Sequence, residues 1–354
     1  MTADRSRTAG SGARPPRFDP KVFLARRELL LVGAIAVLLA LIAARFPGFV
    51  APANLAGVFN DSAILIIMAL GQAAVIVTRS IDLSVAANVA LTGMTVALLD
   101  AAHPELPLML LVAVALVQGL VLGAINGLMV WRIGIPSIVV TLGTLTIYRG
   151  LAFVLSGGAW INSFQFSPGF LGVPRTELLH LPLLSWLALV AIAITAVVFG
   201  RAPIGRAWFA VGGNPAAAVY AGIDPGRTRF FAFCFSGMLS GLCGYLWVSR
   251  YAVAYVDVAS GFELDVIAAC VIGGVSIGGG IGSVAGTVLG ALFLGIIKNA
   301  LPVIAVSPFA QMAISGAIII AAVTLNTRAE RKGGRIILRP RASPSPSPSP
   351  SPAE

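Results

Sequence analysis

Apolar stretches of membrane length recur along the chain, and short segments with charged residues or proline separate them. The pattern predicts helical spans at residues 29–45, 62–78, 84–99, 107–131, 137–155, 181–200, 228–248, 264–277, 284–301 and 308–326. A helix needs about 20 apolar residues to cross a bilayer. The short span at 264–277 and its neighbours are therefore expected to be tilted, broken or partly re-entrant. The fold class predicted is an all-α, polytopic membrane protein with about ten transmembrane helices.

The composition supports this prediction. Hydrophobic residues make up 58% of the 354 residues and charged residues only 11%, with a mean hydropathy of +0.94, whereas soluble domains carry about 25% charged residues. A soluble globular domain is excluded. The net charge of +10 would indicate nucleic-acid binding in a soluble protein. Here the cations concentrate in both tails and one central loop, which is typical of cytoplasmic segments, so we expect lipid and no nucleic acid as a partner.

Three regions follow from these patterns. Residues 1–28 form a basic amino-terminal arm, residues 29–327 the membrane domain, and residues 328–354 a basic and then Ser-Pro-rich tail expected to be disordered. A cleavable signal peptide is disfavoured because no small-residue cleavage site follows the first apolar run. An even number of spans returns both ends to one side, so both termini and the loop at 201–227 are predicted to be cytoplasmic.

The chain offers few residues for catalysis or metal binding. Cys234, Cys243 and Cys270 lie in apolar stretches without a CxxC pair, and His103 and His180 lie near predicted loops. Buried, inert thiols are the expected state of these cysteines. We therefore expect no disulfide, no metal site, no catalytic residue and no bound cofactor.

The central loop from Trp208 to Asp224 mixes glycine, polar and small residues within an otherwise apolar sequence. Four arginines frame it, at positions 201, 206, 227 and 229. A loop of this composition between membrane spans predicts a cytoplasmic surface that binds another protein.

A polar turn from Thr78 to Ser84 follows the second span. Asp82 is expected to accept backbone N–H groups at the start of the next helix. One interpretation is a helix cap with a cationic anchor at the membrane surface. The other is a structured inner-face turn that takes part in gating, through Arg79, Asp82 and Ser84.

Neutral polar residues recur inside the spans, and Asn88 and Thr92 share one helix face. Such groups either bond neighbouring helices or line a hydrated path. Collectively they suit a neutral sugar better than an ion, since no acidic residue lies well inside a span. The candidates for a translocation path are Gln72, Asn88, Thr92, Asn126, Thr141, Thr144 and Tyr148.

A glycine cluster follows residue 272 and resembles a phosphate-binding loop only superficially, because no Gly-Lys-Ser/Thr follows it. Gly282, Gly286 and Gly290 recur every four residues, which predicts close helix packing. The glycine-rich turn before them could also break the helix. The candidate packing glycines are Gly273, Gly274, Gly279, Gly280, Gly282, Gly286 and Gly290.

Three stretches carry a family resemblance. They are Ile81–Ser84; Gly205–Arg206 with Val211–Ala218 and Ala221–Ile223; and Glu263–Asp265 leading to Gly273–Ser276 and Gly279–Ser283. Over about residues 29–326 the chain resembles permease subunits of bacterial ATP-binding-cassette importers for simple sugars, the ribose, xylose and rhamnose group, which are related to branched-chain amino-acid permeases. The regions 60–99 and 245–300 look most similar to rhamnose permeases. One departure is Ser80, where many sugar permeases have glycine.

The resemblance implies the importer permease fold in the bacterial inner membrane. It also implies cytoplasmic ATPases that use ATP, a periplasmic sugar-binding protein, and a second permease subunit in a homodimer or heterodimer. By matched position, the ATPase would dock on Gly205, Arg206, Gly212, Gly213, Asn214, Pro215, Ala217 and Gly222. The alternative is an ion-coupled secondary transporter, which needs an intramembrane titratable group or a cation site. The sequence shows neither.

Overall fold

The computed structural model describes residues 20–307, with residues 309–314, 316–317, 320 and 324 beyond them, and its side chains are described from Glu28 onward. Residues 1–19 of the predicted arm and all of the predicted tail lie outside the described residues. The predicted span at 308–326 is described only in part, and its described residues are helical.

Helices make up nearly all regular structure in the described part of the chain. They are α1 (Pro20–Arg45), α2 (Pro52–Val77), α3 (Val85–Ala102), α4 (Leu108–Leu128), α5 (Ser137–Ser156), α6 (Pro168–Gly172), α7 (Leu183–Gly200), α8 (Pro203–Gly213), α9 (Pro215–Tyr220), α10 (Pro225–Tyr251), α11 (Phe262–Ile272) and α12 (Val284–Val303). Short 3₁₀ turns occupy Pro47–Val50 and Ser163–Gln165, and a π turn, Met129–Ile133, ends α4. Two-residue strands, β1 (Glu177–Leu178) and β2 (Leu181–Pro182), pair antiparallel.

Eight of the described helices are long and apolar enough to cross a membrane: α1, α2, α3, α4, α5, α7, α10 and α12. The predicted all-helical, polytopic class is confirmed. Helix α2 begins ten residues before the predicted span because two polar residues inside it have partners on other helices. Asn60 accepts a hydrogen bond from the Ser185 hydroxyl at 3.1 Å, and Asp61 pairs with Arg250. Helix α1 likewise begins before its predicted span, at Pro20.

Helix α11 has only 11 residues, which span about 16 Å of a hydrocarbon core about 30 Å thick. The chain then continues as a non-helical loop, residues 273–283, before α12 begins. This stretch is the one that the sequence predicts to be tilted, broken or re-entrant.

Helices α2, α3 and α10 form the centre of the bundle. In α2, 94% of the most apolar window is buried, against 28% in α4 and α5. The outer helices α1, α4, α5 and α7 present apolar surface outward, as expected of faces that contact lipid or another subunit.

Glycines bring α4 and α10 into backbone contact. A methyl group added to Gly119 or Gly123 would overlap the backbone of α10, and one added to Gly237 or Gly241 would overlap α4. This contact was not predicted from the sequence. The available signal is the four-residue spacing of glycine in each helix, which permits close approach of two membrane helices.

The bundle has two ends. At one end, called the α8 end, lie the hairpin formed by α8 and α9, the turn 78–84 and the loop 273–283. Glu28 of α1 accepts a hydrogen bond from the Ser283 hydroxyl there. At the opposite end lie the segments 156–182 and 252–261, which are joined by an isolated bridge.

Candidate functional site

Three segments that are far apart in sequence meet at the α8 end. Arg79 donates from Nε to the carbonyl oxygen of Gly212 at 2.7 Å and from Nη2 to that of Gly213 at 2.9 Å. These two bonds are called the Arg79 latch. The backbone N–H of Gly280 donates to the carbonyl oxygen of Val77 at 2.9 Å. The α8–α9 hairpin, the end of α2 and the glycine loop are thus joined directly.

The carboxyl end of α2 shows why these segments meet. The last carbonyl groups of a helix have no partner within the helix and must find one elsewhere. Gly280 supplies a donor to Val77, and Arg229 donates from Nε to the carbonyl oxygen of Thr78 at 3.3 Å. Arg79 itself has a φ of 64°, and this left-handed residue turns the chain away from the helix axis.

Close approach at this junction requires glycine. A methyl group on Gly212 would overlap the carbonyl oxygen of Val77, and one on Gly279 would overlap the Arg79 side chain. Gly279 and Gly280 also have φ values of 81° and 73°, which glycine adopts readily and other residues rarely do.

The predicted docking run divides into a packing side and an outward side. Gly205 and Gly212 are buried, and a methyl group on Gly205 would overlap the carbonyl oxygen of Val198. Trp208 is 1% exposed and donates from Nε1 to the carbonyl oxygen of Thr228 at 3.2 Å, which anchors α8. Pro215 is half-buried. The exposed members of the predicted set are Arg206, Gly213, Asn214, Ala217 and Gly222.

The polar and glycine residues of the hairpin also shape its turns. Asn214 caps α9 by accepting the Ala217 N–H at 3.1 Å, and Pro215 occupies the first position of that helix. Gly222, with a φ of 78°, follows the end of α9. Asp224 caps α10 through two backbone N–H groups. The hairpin is therefore well defined in shape.

Two exposed residues of α9 are not among the docking residues predicted from the sequence. Val219 is 58% exposed and Tyr220 is 94% exposed. Exposed arginines lie nearby in sequence, at positions 201, 206 and 227. The available signal was an aromatic residue within a loop framed by cations. Exposed aromatic and arginine residues are enriched at protein interfaces.

The turn 78–84 contains a buried carboxyl group. Asp82 Oδ1 accepts hydrogen bonds from the Ser84 N–H at 2.9 Å and the Ser84 hydroxyl at 2.7 Å. Burial raises the pKa of Asp82 from 3.8 to about 6, although the Ser84 bonds oppose the rise. Asp82 accepts the backbone N–H of the residue just before α3, so it shapes the turn and does not bond the first helical N–H groups.

The turn connects to three helices. Asn126 of α4 donates from Nδ2 to the Ser84 hydroxyl at 2.7 Å. Tyr148 of α5 donates to the carbonyl oxygen of Leu122 at 2.8 Å and to Asn126 Oδ1 at 3.4 Å. Gln72 of α2 pairs with the backbone of Asp82 when its amide is oriented to satisfy both bonds, each 3.2 Å.

The seven residues predicted to line a translocation path are at most 3% exposed in this structure. Asn88 donates from Nδ2 to the carbonyl oxygens of Gly119 at 3.3 Å and Gly237 at 3.2 Å, so it bonds both α4 and α10. Thr92 bonds Asn88, while Thr141 and Thr144 bond carbonyl groups of their own helix. In this conformation these side chains serve packing, and their role in a path stays a prediction.

The predicted packing glycines have two different roles. A methyl group on Gly273 would overlap the carbonyl oxygen of Gly286, and one on Gly290 would overlap that of Ala269, so these glycines join α11 and α12. Gly274 belongs to the loop and has a φ of 86°. Gly282 packs against the side chains of Val77 and Val275.

Residues 54–323 match the protein family described as branched-chain amino acid transport system / permease component. The chain belongs to this family. It is therefore a transport component and not an enzyme. The sequence-based assignment to import permeases is confirmed at the family level, and the membrane helices of this permease agree with it.

Several curated relatives span most of the permease. It is 37% identical to the autoinducer 2 import system permease of Enterobacter sp., over 87% of this chain and 89% of that relative. It is 34% identical to the ribose import permease of Haemophilus influenzae, over 82% and 90%. It is 35% identical to the galactose/methyl galactoside import permease of Escherichia coli, over 82% and 91%. No solved structure was found to match the chain.

Proposed function

We propose that this permease is the membrane subunit of an ATP-driven importer that carries a neutral monosaccharide across the bacterial inner membrane. The names of two relatives, the ribose and galactose import permeases, support the sugar class. Rhamnose stays a candidate because of the similarity at residues 60–99 and 245–300, although none of the three relatives above is named for it. ATP is bound and hydrolysed by a partner protein.

The Arg79 latch is the observation that carries this proposal. A protein that grips the α8–α9 hairpin acts on Gly212 and Gly213, and their carbonyl groups hold the side chain of Arg79 at the end of α2. Helix α2 is the most buried span among the described helices. Closure of a partner on the hairpin is thereby converted into movement of the bundle centre.

The outward side of the hairpin suits an ATPase. Tyr220 and Val219 offer apolar anchors, and exposed arginines nearby in sequence, at positions 201, 206 and 227, offer positive charge. Buried aromatic residues ringed by polar ones carry most of the binding energy at many interfaces. In this proposal the α8 end faces the cytoplasm, and so does the amino terminus, since Glu28 of α1 lies at the same end.

The remaining partners follow from the other surfaces. The apolar outer faces of α4 and α5 offer contact to a second permease subunit, either identical or related, and to lipid. The opposite end of the bundle would receive the sugar from a periplasmic binding protein. Movement of the turn 78–84 would pass through Ser84 and Asn126 to Tyr148 of α5, and so reach the outer helices.

Reconstitution of transport tests the proposal. The full-length permease is placed in proteoliposomes together with its candidate ATPase and sugar-binding protein, and uptake of radiolabelled ribose, galactose and rhamnose is measured. Uptake is expected to require ATP and all three components, and to stop when the ATPase cannot hydrolyse ATP. Uptake driven by a proton or sodium gradient in ATPase-free liposomes would contradict the proposal and support an ion-coupled transporter.

A further inference from the structure

A cavity of about 540 Å³ lies at the opposite end of the bundle. Its walls come from the end of α10, the segment 252–261, the start of α11, Lys298 near the end of α12, and Gln311, Met312 and Gly316. Sites for small molecules usually measure about 300–1,000 Å³. The side chains that matter most for its chemistry are Trp247, Asp257, Phe262, Asp265, Lys298 and Gln311.

An ion pair forms part of the cavity wall. Lys298 of α12 bonds the carboxylate of Asp265 on α11, and their side chains are 36% and 13% exposed. Charged groups within membrane spans are costly unless they are paired and reach a hydrated cavity. Lys298 and Asp265 are paired, and both line the cavity. The pair therefore gives the cavity a polar wall among apolar helices.

Aromatic rings provide the second part of the lining. Trp247 and Phe262 meet edge to face, with ring centroids 5.0 Å apart. Tyr255, which also lines the cavity, stacks on Trp160 at 4.7 Å. Rings fixed by such contacts offer flat apolar faces beside the charged groups.

The segment that covers the cavity is held in a defined shape. Arg149 of α5 donates from Nη1 to the carbonyl oxygens of Val256 at 2.6 Å and Val258 at 2.8 Å. Ala259 and Gly261 line the cavity with φ values of 55° and 80°. A left-handed alanine is costly and persists only where its surroundings impose it. The cavity is thus preformed by its own chain.

We propose that this cavity is a binding site for a neutral polyol, specifically a monosaccharide. Asp257 and Asp265 can accept hydrogen bonds from hydroxyl groups, while Lys298 and Gln311 can donate to them. Donors and acceptors stand side by side, and the aromatic rings suit the C–H face of a sugar. The two carboxylates disfavour an anion, and the pairing of Lys298 with Asp265 neutralises one of them, which suits a neutral ligand.

The site rests on the proposed function and deepens it. In an importer whose α8 end faces the cytoplasm, this cavity opens where the solute arrives. It gives the permease a sugar-binding site of its own, separate from any binding protein and from the buried polar residues of α3, α4 and α5.

Direct binding tests the proposal. The full-length permease in lipid nanodiscs is incubated with radiolabelled D-ribose, D-galactose or L-rhamnose at millimolar concentrations, without other proteins. At least one sugar is expected to bind saturably. Trp247→Ala and Asp257→Asn are each expected to weaken this binding by about tenfold, which corresponds to about 1.4 kcal/mol. Trp247→Phe keeps an aromatic face and is expected to retain binding.

Matched controls lie at the same end but outside the cavity. Trp186→Ala removes a tryptophan that bonds the carbonyl oxygen of Leu178, and Asp61→Asn alters the carboxylate that pairs with Arg250. Both are expected to leave sugar binding unchanged. Asp257→Asn is nearly isosteric, so it keeps the test decisive if Trp247→Ala does not fold.

Three results would overturn the proposal: no saturable sugar binding, unchanged binding in both cavity variants, or saturable binding of choline or phosphate in place of sugar. ATP-dependent uptake by the complete importer is measured in parallel. Uptake without binding to the permease alone would reject the cavity and leave the importer intact. Sugar binding without ATP-dependent uptake would reject the importer.

Discussion

Arg79 and Gly212 are 133 residues apart in sequence, and the arginine Nε lies 2.7 Å from the glycine carbonyl oxygen. Nothing bulkier than glycine fits at position 212, since a methyl group there would overlap the end of α2. The α8–α9 hairpin is therefore both bonded to α2 and in direct steric contact with it. Because the hairpin is both hydrogen-bonded to α2 and in steric contact with it, movement of the hairpin toward or away from α2 would be transmitted to that helix.

Loss of the Arg79 latch should uncouple ATP hydrolysis from transport. Arg79→Gly removes the side chain and suits the left-handed backbone, whereas Arg79→Lys keeps the charge but loses the two-pronged geometry. Hydrogen bonds to charged groups contribute about 1.5–3 kcal/mol each. Sugar uptake is expected to fall by about tenfold or more in both variants, while the ATPase still co-purifies.

The measurement is the ratio of sugar imported to ATP hydrolysed in proteoliposomes. Arg175→Ala is the control, because this arginine is exposed at the opposite end. An unchanged ratio in both Arg79 variants would show that the latch does not transmit force.

Adjacent glycines of α8 should respond differently to alanine. Gly212→Ala forces the hairpin away from Val77, whereas Gly213 has open space for a methyl group and no positive φ. Overpacking typically costs about 1–3 kcal/mol, and surface substitutions change stability by about 0.5 kcal/mol or less. The thermal midpoint in detergent, followed by tryptophan fluorescence, is expected to fall for Gly212→Ala only. Equal midpoints for the two variants would contradict the packing described for α8.

Tyr220 should contribute to docking of the ATPase. Its side chain is 94% exposed, so Tyr220→Ala is expected to leave folding unchanged and to reduce co-purification of the ATPase by about tenfold, as for an interface anchor worth about 1–2 kcal/mol. Phe164→Ala is the control, since Phe164 is 83% exposed at the opposite end. Normal co-purification with Tyr220→Ala would place the interface elsewhere.

The spans were predictable because a bilayer imposes a length and an apolar composition on every crossing helix. The start of α2 was not predictable. Asn60 and Asp61 look like a polar break, and only Ser185 and Arg250 on other helices allow the helix to continue through them. A hydrogen bond or ion pair with a residue on another helix cannot be recognised from the local sequence.

The candidate site was predictable in its parts but not in its arrangement. The polar turn, the central loop and the glycine cluster were each evident from composition, while their convergence depends on contacts such as that of Gly280 with Val77. The ion pair of Asp265 and Lys298 was missed for the same reason, since its partners belong to different helices.

Asp82 should make stability depend on pH. Burial raises its pKa from 3.8 to about 6, so the native state binds this proton more tightly than the unfolded state does. The contribution of Asp82 to the free energy of unfolding is favourable to the folded state below about pH 4. It declines as the pH rises from about 4 to 6, and it stays unfavourable above that range. Asp82→Asn keeps an oxygen for the Ser84 bonds without the charge.

The variant is therefore expected to be more stable than the natural chain near pH 7, by up to about 3 kcal/mol for a shift of this size. The stabilities of the variant and of the natural chain should converge near pH 4. The thermal midpoints of the variant and of the natural chain are measured between about pH 4 and 7. The effects of other titrating groups cancel in the difference between the two midpoints. A constant difference at every pH would show that Asp82 does not titrate as its burial requires.

The short helix α11 is followed by irregular backbone, residues 273–283, which packs against the end of α2 and against α8. Such backbone is tolerated only where protein or a hydrated cavity covers it, because lipid cannot bond its N–H and C=O groups. Part of that cover comes from Val77 at the end of α2 and from Gly212 and Gly213 of α8. Separating these three elements would leave the N–H of Gly280 and the carbonyl oxygen of Val77 without the hydrogen bond that joins them. These contacts lead us to expect that the three elements move together during transport.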